Sequence, residues 1–305
     1  MDCFFVSRFV DLAVQASGAI GGSVPDLEQM RGVVLFYGAL FFVGLGLNAF
    51  WAVRFSRDAH RWRLKINRLL WRPWNGSDVV HIVLVLALLH LFVTGLLHAL
   101  QRAGWLNATD EVRIWVVAHG LALHGAALVV IFYMARRRGI SWCLGFAHTR
   151  WSLRHGVVRG VLAYVAAIPF LMLYAAIYHV WLQWSGHEPT LQDVVELFAG
   201  MERGFLYFYF LVLAVGVAPI SEELFFRGIL LPALGRRWGV GAAIAISSVL
   251  FALLHFHIPS LVPLLVLSVA LSLAYIYTES IVVPIVMHML FNSVSLVVMT
   301  AMGQG

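Results

Sequence analysis

The feature that most constrains this chain is a succession of eight apolar segments, each close to the length that crosses a bilayer. They lie near residues 33–53, 79–100, 112–134, 157–182, 205–231, 240–257, 261–278 and 281–301. A helix needs about 20 apolar residues to cross the hydrocarbon core, and it satisfies its own backbone hydrogen bonds there. The sequence therefore predicts an all-α protein: a polytopic transmembrane helix bundle with about eight spans.

Composition agrees with a membrane protein and argues against a nucleic-acid partner. Hydrophobic residues make up 61% of the 305 residues and charged residues only 12%, which is far from the composition of a soluble domain. The net charge is +6, but 15 of the 21 Lys and Arg residues fall in three short segments, 54–73, 135–160 and 235–239. An eight-helix path places these segments on one side, which the positive-inside rule predicts to be cytoplasmic.

Polar residues interrupt the later apolar segments, where each charge costs about 2.5–3.5 kcal/mol. The fifth segment carries Glu222, Glu223 and Arg227, the sixth carries His255, and the eighth carries His288 and Asn292. We take Glu222 as the expected functional centre.

Counting residues brings Glu222 and His255 to a common depth, and it leaves His288 and Asn292, 8 and 12 residues beyond their own turn, less deep, a difference that helix tilt can close. If the fifth and sixth helices turn near Trp238, Glu222 lies 16 residues before the turn and His255 lies 17 after it. The seventh and eighth helices turn on the same side, near Ser280. We therefore expect a catalytic cavity built from the fifth, sixth and eighth helices.

Spacing within the helices predicts which side chains share a face. Glu223 and Arg227 are four residues apart, as are His288 and Asn292, so each pair projects from one side of its helix. Glu222 is rotated by about 100° from Glu223 and is expected to face a different neighbour.

This set of groups suits peptide-bond hydrolysis. A carboxylate near a histidine can act as a general base on water, and amide or imidazole donors can stabilise an oxyanion. The trio of Glu222, His255 and His288 is also a candidate ligand set for a divalent metal such as zinc and its bound water. The residues alone leave both mechanisms open.

Three motifs in order resemble a known family. Glu222-Glu223-Leu-Phe-Phe-Arg227 fits EExxxR, Phe251-Ala-Leu-Leu-His255 fits FxxxH, and His288-Met-Leu-Phe-Asn292 fits HxxxN. Together they resemble the CAAX protease and bacteriocin-processing (CPBP) intramembrane endopeptidases, which include the type II CAAX prenyl proteases.

The resemblance implies roles for the motif residues. Glu222 and His255 would activate water, His288 and Asn292 would stabilise the oxyanion, and Glu223 and Arg227 would support the site. It also implies a membrane-associated protein or peptide substrate and a location in the lipid bilayer of a bacterial inner membrane. Whether this family depends on a metal or uses a glutamate without one is disputed, so a metal cofactor stays open. Residues 201–305 would form the catalytic bundle, and residues 1–200 an N-terminal membrane region of four helices without an assigned function.

Three other functions remain as alternatives. The first is a non-catalytic membrane scaffold or immunity protein of the same family, and the second is a proton-coupled transporter that uses the buried carboxylates. The third is a haem or quinone protein, for which the second and third helices offer His81, His90, His98, His119 and His124. This third function leaves the glutamate pair and Arg227 unexplained, and most of these histidines are expected to form hydrogen bonds between helices.

Overall fold

The computed structural model describes residues 27–57, 59–106, 114–115, 117–141, 146, 153–186 and 204–302. These residues are helical with short connections, and no strand occurs among them. The helices are α1 (Leu27–Arg57), α2 (Ala59–Leu70), α3 (Gly76–Arg102), α4 (Val117–Arg137), α5 (Leu153–Ser185), α6 (205–238), α7 (240–253), α8 (Leu261–Thr278) and α9 (Val282–Met302). The predicted all-α helix bundle is confirmed.

Every predicted apolar segment corresponds to one of these helices. By length and composition, six stretches of the described residues can cross a membrane, and one of them, Phe205–Leu253, contains both α6 and α7. At about 1.5 Å per residue α7 is roughly 21 Å long, which is shorter than the ~30 Å hydrocarbon core. The protein is therefore a polytopic integral membrane protein, and the number of eight spans stays a prediction.

Both predicted turns, near Trp238 and Ser280, are confirmed to within one residue. Gly239 breaks the helix between α6 and α7 with φ 81° and ψ 161°, a backbone conformation that favours glycine. Glu279 ends α8 in the left-handed region, with φ 57°, and its N–H donates to Tyr275 O at 2.7 Å. As a result α7 runs back along α6, and α9 runs back along α8.

Helix α2 was not predicted, because its segment was interpreted as part of a basic loop. Its apolar residues Trp62, Ile66 and Leu69 pack in the core. Lys65 donates to the carbonyl of Tyr277, and burial lowers its pKa. The Arg68 guanidinium pairs with Glu279, which raises the pKa of Arg68. Helix α2 therefore packs against the α8–α9 turn as an amphipathic helix.

Helices from the two predicted domains pack closely. Gly156 and Gly160 of α5 face α9, and a Cβ on Gly160 would lie 2.6 Å from the Cβ of Val286. Small residues at this spacing allow two membrane helices to approach closely. The division at residue 200 stays a prediction, but the helices on its two sides share one packed bundle.

Candidate active site

Helix α6 is widened on both sides of the glutamate pair. Pi-helical turns at Leu213–Val217 and Leu224–Leu230 flank the short α-helical segment Ala218–Glu223. Pro219 explains the first turn, since it has no N–H and its ring would clash with a carbonyl four residues earlier in a regular helix. Such turns often occur at functional sites.

Glu223 and Arg227 form a buried ion pair, as their spacing predicted. Arg227 Nη1 donates to Glu223 Oε1 at 2.9 Å, and the two side chains are 1% and 0% exposed. Arg227 Nη2 also donates to the carbonyl and hydroxyl oxygens of Ser268 on α8, at 3.1 and 2.7 Å. The guanidinium stacks over the Phe251 ring, 4.7 Å from its centroid. Through these contacts the Arg227 guanidinium connects α6, α7 and α8.

His288 joins the eighth predicted span to both glutamates. Its Nδ1 lies 2.8 Å from Glu223 Oε1, and its Nε2 lies 3.9 Å from Glu222 Oε2. Because the carboxylate can only accept, Nδ1 carries the proton in the first contact. Only the Nε2 atom of His288 is therefore left to face Glu222.

Glu222 has very different surroundings from Glu223. Its side chain is 20% exposed, and its Oε2 atom has no hydrogen-bond partner among the described residues. Two imidazole nitrogens flank the carboxylate at 3.9 Å: His124 Nδ1 beside Oε1 and His288 Nε2 beside Oε2. These gaps are too long for direct hydrogen bonds and short enough for one water molecule to bridge. Glu222 is the reachable carboxylate of the pair.

His255 follows the end of α7 and has one ring nitrogen engaged. Its Nδ1 donates to the carbonyl of Phe251 at 2.7 Å, which leaves Nε2 as an acceptor in the neutral ring. The Phe251 ring lies between the two histidines, with centroid distances of 4.9 Å to His255 and 5.6 Å to His288. Helix α7 therefore places a third imidazole beside the Phe251 ring, which also contacts His288.

Asn292 contacts the widened part of α6. Its Nδ2 donates to the carbonyl of Ala214 at 2.8 Å. In the π-turn Ala218 N–H bonds to Leu213 O, so the next N–H would bond to Ala214 O, but the next residue is Pro219. One hydrogen of the Asn292 amide thus replaces a missing backbone donor, and the other remains for a second contact.

Two residues at the site were missed from the sequence. Ser268 accepts from Arg227, and His124 of α4 lies beside Glu222 and 2.9 Å from the hydroxyl of Ser221. Neither belongs to one of the three motifs. The available signals were a pair of serines four residues apart on an apolar helix, Ser268 and Ser272, and a histidine in the middle of an apolar segment.

The candidate metal ligands do not form a metal site as placed. Within the described parts of the chain, no three His, Cys, Asp or Glu side chains are close enough together to hold a metal ion. The Nδ1 atoms of His288 and His255 bond to Glu223 and to a backbone carbonyl, so only their Nε2 atoms could bind a metal. Because the candidate ligands are not grouped closely enough, we derive no step of the reaction from a metal.

The remaining histidines of α3 and α4 pack against each other and their neighbours. His119 Nε2 lies 3.1 Å from the Thr94 hydroxyl on α3, its Nδ1 bonds to the carbonyl of Trp115, and the rings of His90 and His119 are 4.9 Å apart. The hydrogen bond between Thr94 and His119 is the kind of interhelical contact that was expected of these residues.

The fold and site define a class: a polytopic helical membrane protein with a buried Glu–Arg–His network and one partly exposed glutamate. Residues 204–294 match a family model described as Type II CAAX prenyl endopeptidase Rce1-like. This match confirms the resemblance to the CPBP and CAAX protease family that the motifs indicated, and it covers less than half of the chain. Searches of curated proteins and of solved structures find no match.

Proposed function

We propose that this protein is an intramembrane endopeptidase that hydrolyses a peptide bond in a membrane-associated protein or peptide. The observation that carries the proposal is the asymmetry of the glutamate pair. Glu223 is fully buried and neutralised by Arg227, whereas Glu222 is partly exposed and flanked by imidazoles at 3.9 Å. The match of residues 204–294 to a protease family supports the same conclusion.

In the proposed reaction Glu222 is the general base, and the Nε2 atom of His255 helps to hold the attacking water. As the water oxygen bonds to the substrate carbonyl carbon, one water proton passes to Glu222 and the carbonyl electron pair moves to its oxygen. Asn292 stabilises this oxyanion through its second amide hydrogen, and His288, whose Nδ1 bonds to Glu223, would also donate to it only when the ring carries a second proton on Nε2.

Collapse of the intermediate completes the cleavage. The carbonyl re-forms, the carbon–nitrogen bond breaks, and the leaving nitrogen takes the proton from Glu222. The products are a carboxylic acid and an amine, between which a proton then passes to give a carboxylate and an ammonium group, and Glu222 returns to its ionised form. Glu223 and Arg227 take no part in proton transfer, since their role is to hold His288.

The proposed location follows from the loop charges. We place the chain in a bacterial inner membrane with the basic segments 54–73, 135–160 and 235–239 on the cytoplasmic side. The substrate must reach Glu222 within the membrane region, so it is itself membrane-associated. A prenyl group on the substrate is not part of the proposal.

The test compares the N-termini of membrane proteins in cells that produce the native chain, Glu222→Gln or Glu279→Gln. Glu279 is a matched control because it is also a partly buried, paired glutamate, but it pairs with Arg68 away from the site. Loss of a general base typically costs about 10²–10⁴-fold in rate. We expect a set of new N-termini in the native and Glu279→Gln cells that is lost in the Glu222→Gln cells.

The opposite result would refute the proposal. If Glu222→Gln produced the same N-termini as the native chain at equal protein level, the chain would not be a protease that works through Glu222. A phenotype that the variant still rescued would then indicate a scaffold or immunity protein.

A further inference from the structure

Helix α4 lies outside the segment that matches the protease family, yet one of its side chains reaches the glutamate pair. His124 belongs to a π-helical turn, Leu121–Gly125, and this turn packs against the segment that carries Glu222. A π turn holds one residue more than an α turn, so it changes the direction of the side chains within it. This is the local reason that His124 faces α6.

The neighbouring contacts hold this part of α4 close to α6. A Cβ on Gly120 would lie 2.6 Å from the hydroxyl of Tyr209 and 2.7 Å from a methyl group of Leu213, so the two helices approach closely at this glycine. The same Tyr209 hydroxyl donates to the carbonyl of Val117 at 3.0 Å. His124 is therefore fixed to α6 through the backbone on its N-terminal side.

The hydrogen bonds of Ser221 determine which nitrogen of His124 carries a proton. The hydroxyl of Ser221 has one hydrogen, and it donates this to the carbonyl of Ala218 at 2.9 Å. The same oxygen lies 2.9 Å from His124 Nδ1, so it accepts from that nitrogen. His124 therefore presents Nδ1–H toward α6, between Ser221 Oγ and Glu222 Oε1 at 3.9 Å.

We propose that His124 is a positioning residue for the reaction: the bond from its Nδ1–H to Ser221 holds the ring beside Oε1 of Glu222, and the positive end of that N–H, 3.9 Å away, orients the carboxylate. The inference rests on the proposed function, since it assigns Glu222 as the base. Each oxygen of the Glu222 carboxylate then has one imidazole beside it, one from α4 and one from α9. Neither His255 nor His288, the histidines of the motifs, supplies this contact on Oε1. The N-terminal helices thus contribute to the site as well as to the bundle.

Two polar substitutions separate positioning from packing. The amide nitrogen of an asparagine can occupy the place of Nδ1, whereas the longer glutamine places its amide near Nε2. A misplacement of about 1 Å in a catalytic geometry can cost on the order of 10²-fold in rate. We expect His124→Asn to keep most of the activity, and His124→Gln to lose on the order of 10²-fold.

The assay quantifies the same N-termini that are lost in Glu222→Gln cells, at matched protein level, with His119→Gln as a control. His119 is also a hydrogen-bonded histidine of α4, but it bonds to Thr94 and not to the site. Retained cleavage in His124→Asn with strong loss in His124→Gln supports the inference.

Three results would overturn it. If both His124 variants cleaved normally, or if both lost cleavage equally, the Nδ1–H would have no positioning role even though the protease assignment stood. If native and Glu222→Gln cells gave identical N-termini, the proposed function itself would fail and this inference with it.

Discussion

Replacing Arg227 by methionine tests whether the buried ion pair holds the site together. The guanidinium makes three hydrogen bonds, one to Glu223 and two to Ser268, and it stacks on Phe251 at 4.7 Å. Methionine fills much of the volume but leaves the Glu223 carboxylate, which is 0% exposed, without its cation. Removing one partner of a buried pair typically costs about 3–5 kcal/mol. We expect a loss of unfolding free energy of this size.

A second substitution distinguishes the stranded charge from lost packing. In Arg227→Met with Glu223→Gln, no unpaired charge is left, and the glutamine oxygen can still accept from His288 Nδ1. Replacing both members of a buried pair by neutral groups is often close to neutral in stability. The double variant should therefore be more stable than Arg227→Met alone, by about 2 kcal/mol or more. Arg68→Met is the matched control, since that side chain is 36% exposed and a surface pair contributes at most about 1 kcal/mol.

The measurement is the unfolding free energy of the purified protein in mixed detergent micelles, followed by tryptophan fluorescence during titration with a denaturing detergent. Protein level in the membrane should fall in the same order as the unfolding free energy. If Arg227→Met cost less than about 1 kcal/mol, or if the double variant were as unstable as the single one, the ion pair would not carry the stability assigned to it.

Two further predictions concern contacts between helices. Gly160→Leu should destabilise the protein by about 1–3 kcal/mol or more, because its Cβ would lie 2.6 Å from that of Val286. Asn292→Leu should lower the free energy of unfolding by about 1–3 kcal/mol, because it leaves the carbonyl of Ala214 unpaired. Adding Pro219→Ala to this variant should recover part of that free energy, because the alanine supplies a backbone N–H to the same carbonyl. Both are measured by the same detergent titration.

The control for Gly160→Leu lies on α1, which packs against α5. Gly38→Leu on α1 has nothing within 4 Å of its Cβ, so it should leave stability nearly unchanged, and equal losses at positions 38 and 160 would contradict the packing argument. If Asn292→Leu abolished cleavage without any loss of stability, its bond to Ala214 would be incidental and its role would be in the oxyanion alone.

The fold was largely predictable because membrane spans are a local property of the sequence. Length and apolar composition located the helices, and turn positions such as Gly239 and Ser280 followed from the gaps between apolar segments. Helix α2 was missed because its many charges hid an apolar stripe, Trp62, Ile66 and Leu69, at helical spacing. Because the charges of this segment indicated a basic loop, the helical spacing of its three apolar residues was overlooked.

The site was predictable only within each helix. The spacing of four residues correctly paired Glu223 with Arg227, which are neighbours on one helix face. The bond of His288 to Glu223 and the approach of His124 to Glu222 depend on how α9 and α4 pack against α6. No local pattern encodes such packing, which explains why a histidine outside the motifs went unassigned.

The adjacency of the two glutamates has a simple geometric consequence. Neighbouring residues of a helix point about 100° apart, so the Glu223 carboxylate meets Arg227 and His288 Nδ1 while the Glu222 carboxylate lies between α4 and α9. Arg227 can then neutralise Glu223 fully while Glu222 stays partly exposed. A single glutamate could not serve both needs, because a carboxylate bonded to a buried guanidinium is a poor proton acceptor. The pair thus separates the charge that holds the helices together from the charge that we propose as the general base.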